Sequence, residues 1–201
     1  MTTTLLQINT SLFSENGQSS KLAQDYVEAW RSRHPQGRVI VRDLATNPLP
    51  HLTAERFQAF LAKPEARTPE QRAIVAESDA LIDELKAADQ IVLGLPMYNF
   101  GIPSTLKAWI DHVARAGVTF RYTANGPEGL VADRKLTVLA ARGGRYAGTP
   151  KDTQSGYVRD FFNFIGIRDI DFVYAEGMAL DESTRREALD AAHSRIDKLA
   201  A

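Results

Sequence analysis

Three short segments carry residue types that suit ligand chemistry. The first is Thr10-Ser11-Leu12-Phe13-Ser14-Glu15-Asn16-Gly17-Gln18-Ser19-Ser20, which has five hydroxyls, one glycine and no lysine or arginine before Lys21. If it opens a helix, free N–H groups and the positive end of the dipole favour a phosphate, and the hydroxyls add donors. It lacks the Gly-Lys-Ser/Thr of a triphosphate loop and the Gly-x-Gly-x-x-Gly of a dinucleotide loop. Its chemistry suits a phosphomonoester held by hydrogen bonds rather than ion pairs. A serine-rich helix cap and turn is the plain alternative.

The second segment is Pro96-Met97-Tyr98-Asn99-Phe100-Gly101-Ile102-Pro103-Ser104. Its two prolines and glycine shape a loop that neither extends a strand nor starts a helix early. It offers aromatics, a thioether and an amide, a set suited to the faces and polar edge of a flat heteroaromatic ring. A turn with Tyr98 and Phe100 packed in the core is the alternative. The third segment, Ala140-Ala141-Arg142-Gly143-Gly144-Arg145, has paired glycines that let main chain approach a ligand and leave N–H groups free. Such donors suit a ring carbonyl or a developing anion, although Gly-Gly also makes an ordinary turn.

All three segments follow strand-like runs. These runs are Thr4 to Asn9, Arg38 to Asp43, Gln90 to Leu95, Lys135 to Ala140 and Ile170 to Ala175. Between them lie stripes of helical spacing, such as Leu22, Tyr26, Ala29 and Trp30, or Leu106, Trp109, Ile110 and Val113. Pro69 suits a helix start. Strands alternating with helices predict a single α/β domain over residues 1–201, with a five-stranded parallel sheet covered on both faces. Ligands of such sheets bind beyond the strands' carboxyl ends, near the switch in strand order. The places to look are therefore the segments after Asn9, Asp43, Leu95, Ala140 and Ala175.

Composition excludes much else. The chain has 201 residues, 24 basic and 25 acidic side chains, a net charge of -1 and no cysteine. Disulfides, thiolate nucleophiles and iron–sulfur clusters are excluded, and near-neutral charge argues against nucleic acid. The longest apolar run, around Ile91 to Met97, is broken by Gly94 and Pro96, far short of the ~20 residues of a membrane span. With no signal-like N-terminus, a cytoplasmic location is expected. His34, His51, His112 and His193 show no metal-ligand spacing. There is no nucleophile elbow. The acidic run Glu182 to Asp190 suits a solvated helix start.

The chain resembles the FMN-dependent NADH-azoreductases, a branch of the flavodoxin-like NAD(P)H:quinone oxidoreductases. Pro96-Met97-Tyr98-Asn99-Phe100 and Arg142-Gly143-Gly144 match that family's flavin-binding segments. Gly117-Val118-Thr119-Phe120-Arg121-Tyr122, Asn125-Gly126-Pro127-Glu128-Gly129-Leu130 and Phe164-Ile165-Gly166-Ile167 match further stretches. The likeness covers essentially the whole chain. It implies a flavodoxin-like sheet of order 2-1-3-4-5. It implies FMN contacts at Ser11, Gly17, Gln18 and Ser19, at Pro96, Met97, Tyr98, Asn99 and Phe100, and at Ala141, Arg142, Gly143 and Gly144. Gly17 and Ala141 stand where many members carry serine, so each loses a hydroxyl contact while its backbone N–H remains.

The resemblance also implies a mechanism. NADH or NADPH reduces the flavin and leaves, and an acceptor then takes the electrons from the same face. Asn99 is assigned to the N5/O4 edge of the flavin, and the Gly143 and Gly144 N–H groups to the N1/O2 edge. The long connections Ala45 to Thr68 and Arg115 to Arg134 carry aromatics, and so are expected to be ordered. Phe60, Phe120, Tyr122 and Phe164 are the expected walls of an acceptor pocket for quinones or azo dyes, partly contributed by a second subunit of a homodimer. A packed excursion with a hairpin around Asn125-Gly126 is the alternative for the second connection. A flavodoxin-type electron carrier or an FMN-binding redox sensor would share the fold and cofactor.

Overall fold

The structure, a computed structural model, describes residues 2–200. In chain order its elements are β1 (Thr4–Asn9), α1 (Gln18–Arg33), β2 (Arg38–Asp43), α2 (Ala54–Leu61), α3 (Pro69–Ala87) and β3 (Gln90–Pro96). Then come α4 (Ser104–Val113), β4 (Phe120–Thr123), β5 (Gly126–Gly129), β6 (Lys135–Ala141), α5 (Ser155–Ile165), β7 (Ile170–Ala175) and α6 (Glu182–Leu199). Five strands form one parallel sheet in the order β2-β1-β3-β6-β7. This is the expected 2-1-3-4-5 order, because β4 and β5 pair only with each other.

Alternation along the strands divides the apolar residues between two cores. Leu6, Ile8, Ile91, Leu93, Leu95, Leu136 and Val138 pack with Leu81, Leu85, Trp109 and Phe162 beneath α3, α4 and α5. Leu5, Val92, Leu139 and Val173 pack with Leu22, Tyr26, Trp30, Ala192 and Ile196 beneath α1 and α6. Each fully buried large apolar side chain contributes roughly 1.5–3 kcal/mol. Gly94 on β3 lets α1 sit close, since a Cβ there would come 2.9 Å from the Ser19 carbonyl oxygen. That contact brings the start of α1 directly over the switch between β1 and β3.

The helix starts differ in a way that bears on the site. Thr53, Thr68 and Asp181 cap α2, α3 and α6 by accepting from Arg56, Gln71 and Thr184 N–H. Thr68 also forms a capping box with Gln71, and Pro69 fills the first helical position. The acidic run from Glu182 is thus a capped, exposed helix start. By contrast, α1 begins at Gly17 with no side-chain cap and no acidic residue in its first turn. Its first N–H groups remain available.

The connection after α4 is an ordered excursion. Thr119 Oγ1 accepts from Arg115 N–H at 2.9 Å and donates to Val113 O at 2.6 Å, which turns the chain into β4. The β4–β5 hairpin turns at Ala124-Asn125, followed by Gly126 at φ +106. It docks on the end of α5, where Val131 N–H donates to Ile165 O at 2.9 Å. Among the described residues, no helix is long and apolar enough to cross a membrane.

Candidate functional site

A cleft of about 210 Å³ opens beyond the carboxyl ends of β1, β3 and β6. Its walls include Ser11, Gly17, Gln18 and Ser19 from the first loop, Pro96, Met97 and Tyr98 from the second, and Ala141, Arg142 and Gly143 from the third. The three segments singled out by sequence therefore converge. Phe13 and Met178 also line the cleft, and neither is among the contacts expected from the sequence. Met178 lies in the flagged segment after Ala175, whereas Phe13 had no signal of its own within the hydroxyl-rich loop.

The first wall is built for an anion. Ser19 is fully buried, and its Oγ has no hydrogen-bond partner among the described residues. Buried hydroxyls are normally paired, so an unpaired one beside a free helix N-terminus marks a ligand position. Ser11 accepts from Phe13 N–H at 3.2 Å and lies 3.4 Å from the Tyr98 hydroxyl. The Gly17 departure has a local reason: a Cβ at Gly17 would collide with Ser11 Oγ. Ser14 Oγ donates to Asp43 at 2.5 Å, tying this loop to the end of β2.

The second wall is a strained turn. Tyr98 and Gly101 exchange both backbone hydrogen bonds, at 3.2 and 2.9 Å, around Asn99 and Phe100. These two residues have φ of 50° and 62°. Asparagine tolerates that region, but phenylalanine does not, at a cost of roughly 1–2 kcal/mol. Strain of this kind persists where surrounding structure fixes it, often at functional sites. Asn99 and Phe100 are exposed and, like Gly144, are not among the residues that line the cleft; Phe100 meets Tyr146 edge to face at 5.7 Å.

The third wall presents main chain. The Arg142, Gly143 and Gly144 carbonyls accept from Met178, Ala179 and Gly177 N–H. The Gly143 and Gly144 N–H groups have no acceptor among the described residues. Arg142 reaches the cleft only through its backbone. Its guanidinium is fully buried and faces away, paired with Asp152 and Glu176 at 3.0 Å each. It also donates to Ser155 Oγ at 2.9 Å and lies 5.0 Å over the Tyr174 ring. Burial would raise the Asp152 pKa, but hydrogen bonds from Ser155 N–H, Arg142 and the Ser155 hydroxyl outweigh it and hold the carboxyl below its usual range. No free cation from this group faces the cleft, so the anion-holding work falls on N–H and hydroxyl donors.

The four expected pocket aromatics do not come together within one chain, and none lines the cleft. Phe120 packs on Phe164 at 4.3 Å and on Tyr122 at 5.5 Å, with Tyr122 exposed on the hairpin. Phe60 instead lies under the Arg115 guanidinium at 5.1 Å and beside buried His112. On the same helix, α2, Phe57 and Leu61 are exposed. A larger hollow of about 500 Å³ flanks α1, with Lys21, Asp25, Leu189 and His193 in its wall. His193 there pairs with Asp25 at 3.0 Å. It shares only Gln18 with the cleft where the three loops meet.

A parallel sheet of this order, with an uncapped helix start at its switch point and three donor-bearing loops around one cleft, defines a flavodoxin-like α/β protein. The family model described as "Flavodoxin-like fold" matches residues 3–200. The FMN-dependent NADH:quinone oxidoreductase of Alcanivorax borkumensis is 57% identical over 192 residues, covering 96% of this chain and 97% of the relative. Among solved structures, an azoreductase from Bacillus anthracis superposes with a TM-score of 0.90 at 29% identity, over 98% of each chain. An FMN-dependent NADH-azoreductase from Bacillus anthracis, solved in complex with FMN, superposes with a TM-score of 0.89 at 26% identity, over 98% of this chain and 97% of that one. The chain belongs to the flavodoxin-like family, in the branch of the FMN-dependent NADH-azoreductases and NAD(P)H:quinone oxidoreductases.

Proposed function

We propose that this protein is an FMN-dependent NAD(P)H oxidoreductase that reduces quinones and reductively cleaves azo compounds. Donor and acceptor use one cleft in turn. The observation that carries the reading is the unpaired, fully buried Ser19 hydroxyl at an uncapped helix start, in a cleft that Gly143 also lines, with the Gly143 and Gly144 N–H groups free of acceptors among the described residues. Those donors fit a phosphate at one end and a ring edge at the other, as FMN requires. The names of the relatives, FMN-dependent NADH:quinone oxidoreductase and azoreductase, support the same reading.

Bound FMN supplies the two-electron chemistry between nicotinamide and acceptor. The chain's own residues bind and orient. Ser11, Gly17, Gln18 and Ser19 would hold the phosphate by neutral donors. Pro96, Met97, Tyr98, Asn99 and Phe100 would hold one side of the ring system, with Asn99 at its N5/O4 edge. Ala141, Arg142, Gly143 and Gly144 would present main-chain donors to the N1/O2 edge, where negative charge collects on reduction. No side-chain acid or base is required for electron delivery.

Phe60, Phe120, Tyr122 and Phe164 are assigned to the acceptor pocket of a homodimer whose sites are shared between subunits. Exposed Phe57 and Leu61 on α2 support burial of that helix against a second copy. Small flat acceptors, a cytoplasmic location, and no nucleic-acid or membrane partner complete the reading. The purified protein is expected to show a visible flavin band near one per chain, bleached by NADH or NADPH and restored by a quinone. Parallel double-reciprocal plots against donor and acceptor would match alternate use of one cleft. A colourless protein that cannot be reconstituted with FMN overturns the proposal. A flavin-loaded protein without steady turnover would instead be a carrier or sensor.

A further inference from the structure

The hydrogen-bond ladder between β3 and β6 ends at the pair Pro96 and Ala141. Beyond it the two strands lead into separate walls of the cleft. Gln154, which is 1% exposed and precedes α5, spans the gap between them. Its Nε2 donates to Pro96 O at 2.7 Å and to Gly101 O at 3.2 Å. Its Oε1 accepts from Arg142 Nε at 3.3 Å. The amide therefore holds the base of the Asn99–Phe100 turn with one end and the Gly143–Gly144 wall, through Arg142, with the other. Thr153 Oγ1 adds a hydrogen bond to Phe100 O.

We propose that Gln154 is a positioning residue that locks the two ring-facing loops into one frame and holds the left-handed Asn99–Phe100 turn ready for the cofactor. The inference rests on the FMN reading above. Its physical basis is that Phe100 does not choose φ of 62° by itself, so something outside the turn must fix it. Gln154 and Thr153 are the side chains that donate to the turn's carbonyls. An amide is suited to the task because only a group with both a donor and an acceptor end satisfies Pro96 O, Gly101 O and Arg142 together.

Gln154→Glu separates the two arms. The introduced carboxylate keeps an acceptor for Arg142, whose other charged neighbours are Asp152 and Glu176. It faces Pro96 O and Gly101 O without a proton, so the arm to the turn is lost until the group is protonated. Gln154→Leu removes both arms at every pH. Apoprotein of each form is titrated with FMN, followed by quenching of flavin fluorescence, from pH 8 down to pH 5.5. Amide exchange across Tyr98 to Gly101 is measured on the same apoproteins.

The expected result is an FMN dissociation constant at least tenfold higher for both variants at pH 8. The Gln154→Glu value returns towards wild type as the pH falls, and Gln154→Leu does not recover. Tyr98 and Gly101 amides exchange faster in both apoproteins. Thr153→Val, an exposed and milder change, is expected to raise the constant two- to fivefold, and stands as the test if the Gln154 variants do not fold. Wild-type FMN affinity with unchanged exchange in the variants overturns the inference and leaves the function intact. Loss of affinity in Gln154→Glu that no pH restores also overturns it. A wild-type protein that takes up no FMN overturns the function reading, and this inference with it.

Discussion

Arg142→Met tests whether the third wall stands on a buried ion cluster. The guanidinium is 0% exposed, and its partners Asp152 and Glu176 are 8% and 14% exposed in their side chains. Methionine fills similar space but leaves two carboxylates without their cation. Breaking a buried pair from one side costs about 3–5 kcal/mol, because the remaining charge stays desolvated. For a chain of this size that corresponds to a fall in Tm of roughly 6–20 °C. Adding Asp152→Asn and Glu176→Gln should recover most of the loss. Each amide keeps an acceptor oxygen, for Ser155 N–H in one case and for Tyr146 and Ala147 N–H in the other.

The pH dependence has a fixed sign. In the wild type, the Asp152 pKa lies below its unfolded value of ~3.9, so its contribution is present above that value and fades as the pH falls through the folded one. In Arg142→Met the Asp152 carboxyl is desolvated without its cation, so its folded pKa rises and protonation relieves the penalty. The difference between wild type and Arg142→Met is therefore expected to be largest near neutral pH and to shrink towards pH 4. Urea unfolding at pH 7.5, 5.5 and 4 measures it. A loss below about 1 kcal/mol at pH 7.5, or a triple variant no more stable than the single one, would refute the reasoning that unpaired charge dominates.

Three further outcomes follow from local geometry. Ser19→Ala removes a hydroxyl with no partner within the chain, so Tm should hold while the FMN dissociation constant, read by fluorescence titration, rises about 10-fold, the loss of one hydrogen bond to a charged group. Gly129→Ala places a methyl against the backbone of Ile165 and Gly166, which cannot swing aside as a side chain would; a stability loss of at least ~2 kcal/mol by urea unfolding is expected. The Asp181 pKa is lowered to about 2 by hydrogen bonds from the Ser183 hydroxyl and from Thr184 N–H and hydroxyl. Its capping of α6 is therefore present above pH ~3.9 and is lost as the pH falls towards 2, so thermal melts of wild type and Asp181→Ala should converge over that interval.

Local pattern determined the five parallel strands, whereas their 2-1-3-4-5 order came with the family resemblance. The apolar run Ile91-Val92-Leu93-Gly94-Leu95 is legible as a strand buried on both faces. Thr4 to Asn9, Arg38 to Asp43 and Ile170 to Ala175 have their observed bounds although the two edge strands are only partly buried, and β3 and β6 run one residue further because Pro96 and Ala141 still pair. The three site segments were legible because strand ends are where an α/β sheet must bind, and turn-forming residues there are visible letter by letter. What the letters do not carry is direction. Arg142 stands in a ligand-facing motif, yet its guanidinium turns inward, because Asp152, Gln154 and Ser155 at the start of α5 and Glu176 after β7 enclose it. Phe60 and Phe120 both read as pocket walls, yet one chain holds them in separate clusters, since α2 packs on α3 while the hairpin packs on α5. Gln154 lies outside every segment that the sequence singles out. Its place between two diverging strands exists only after β3 and β6 pair, because a side chain that bridges two loops is defined by their separation in space and not by their spacing in sequence.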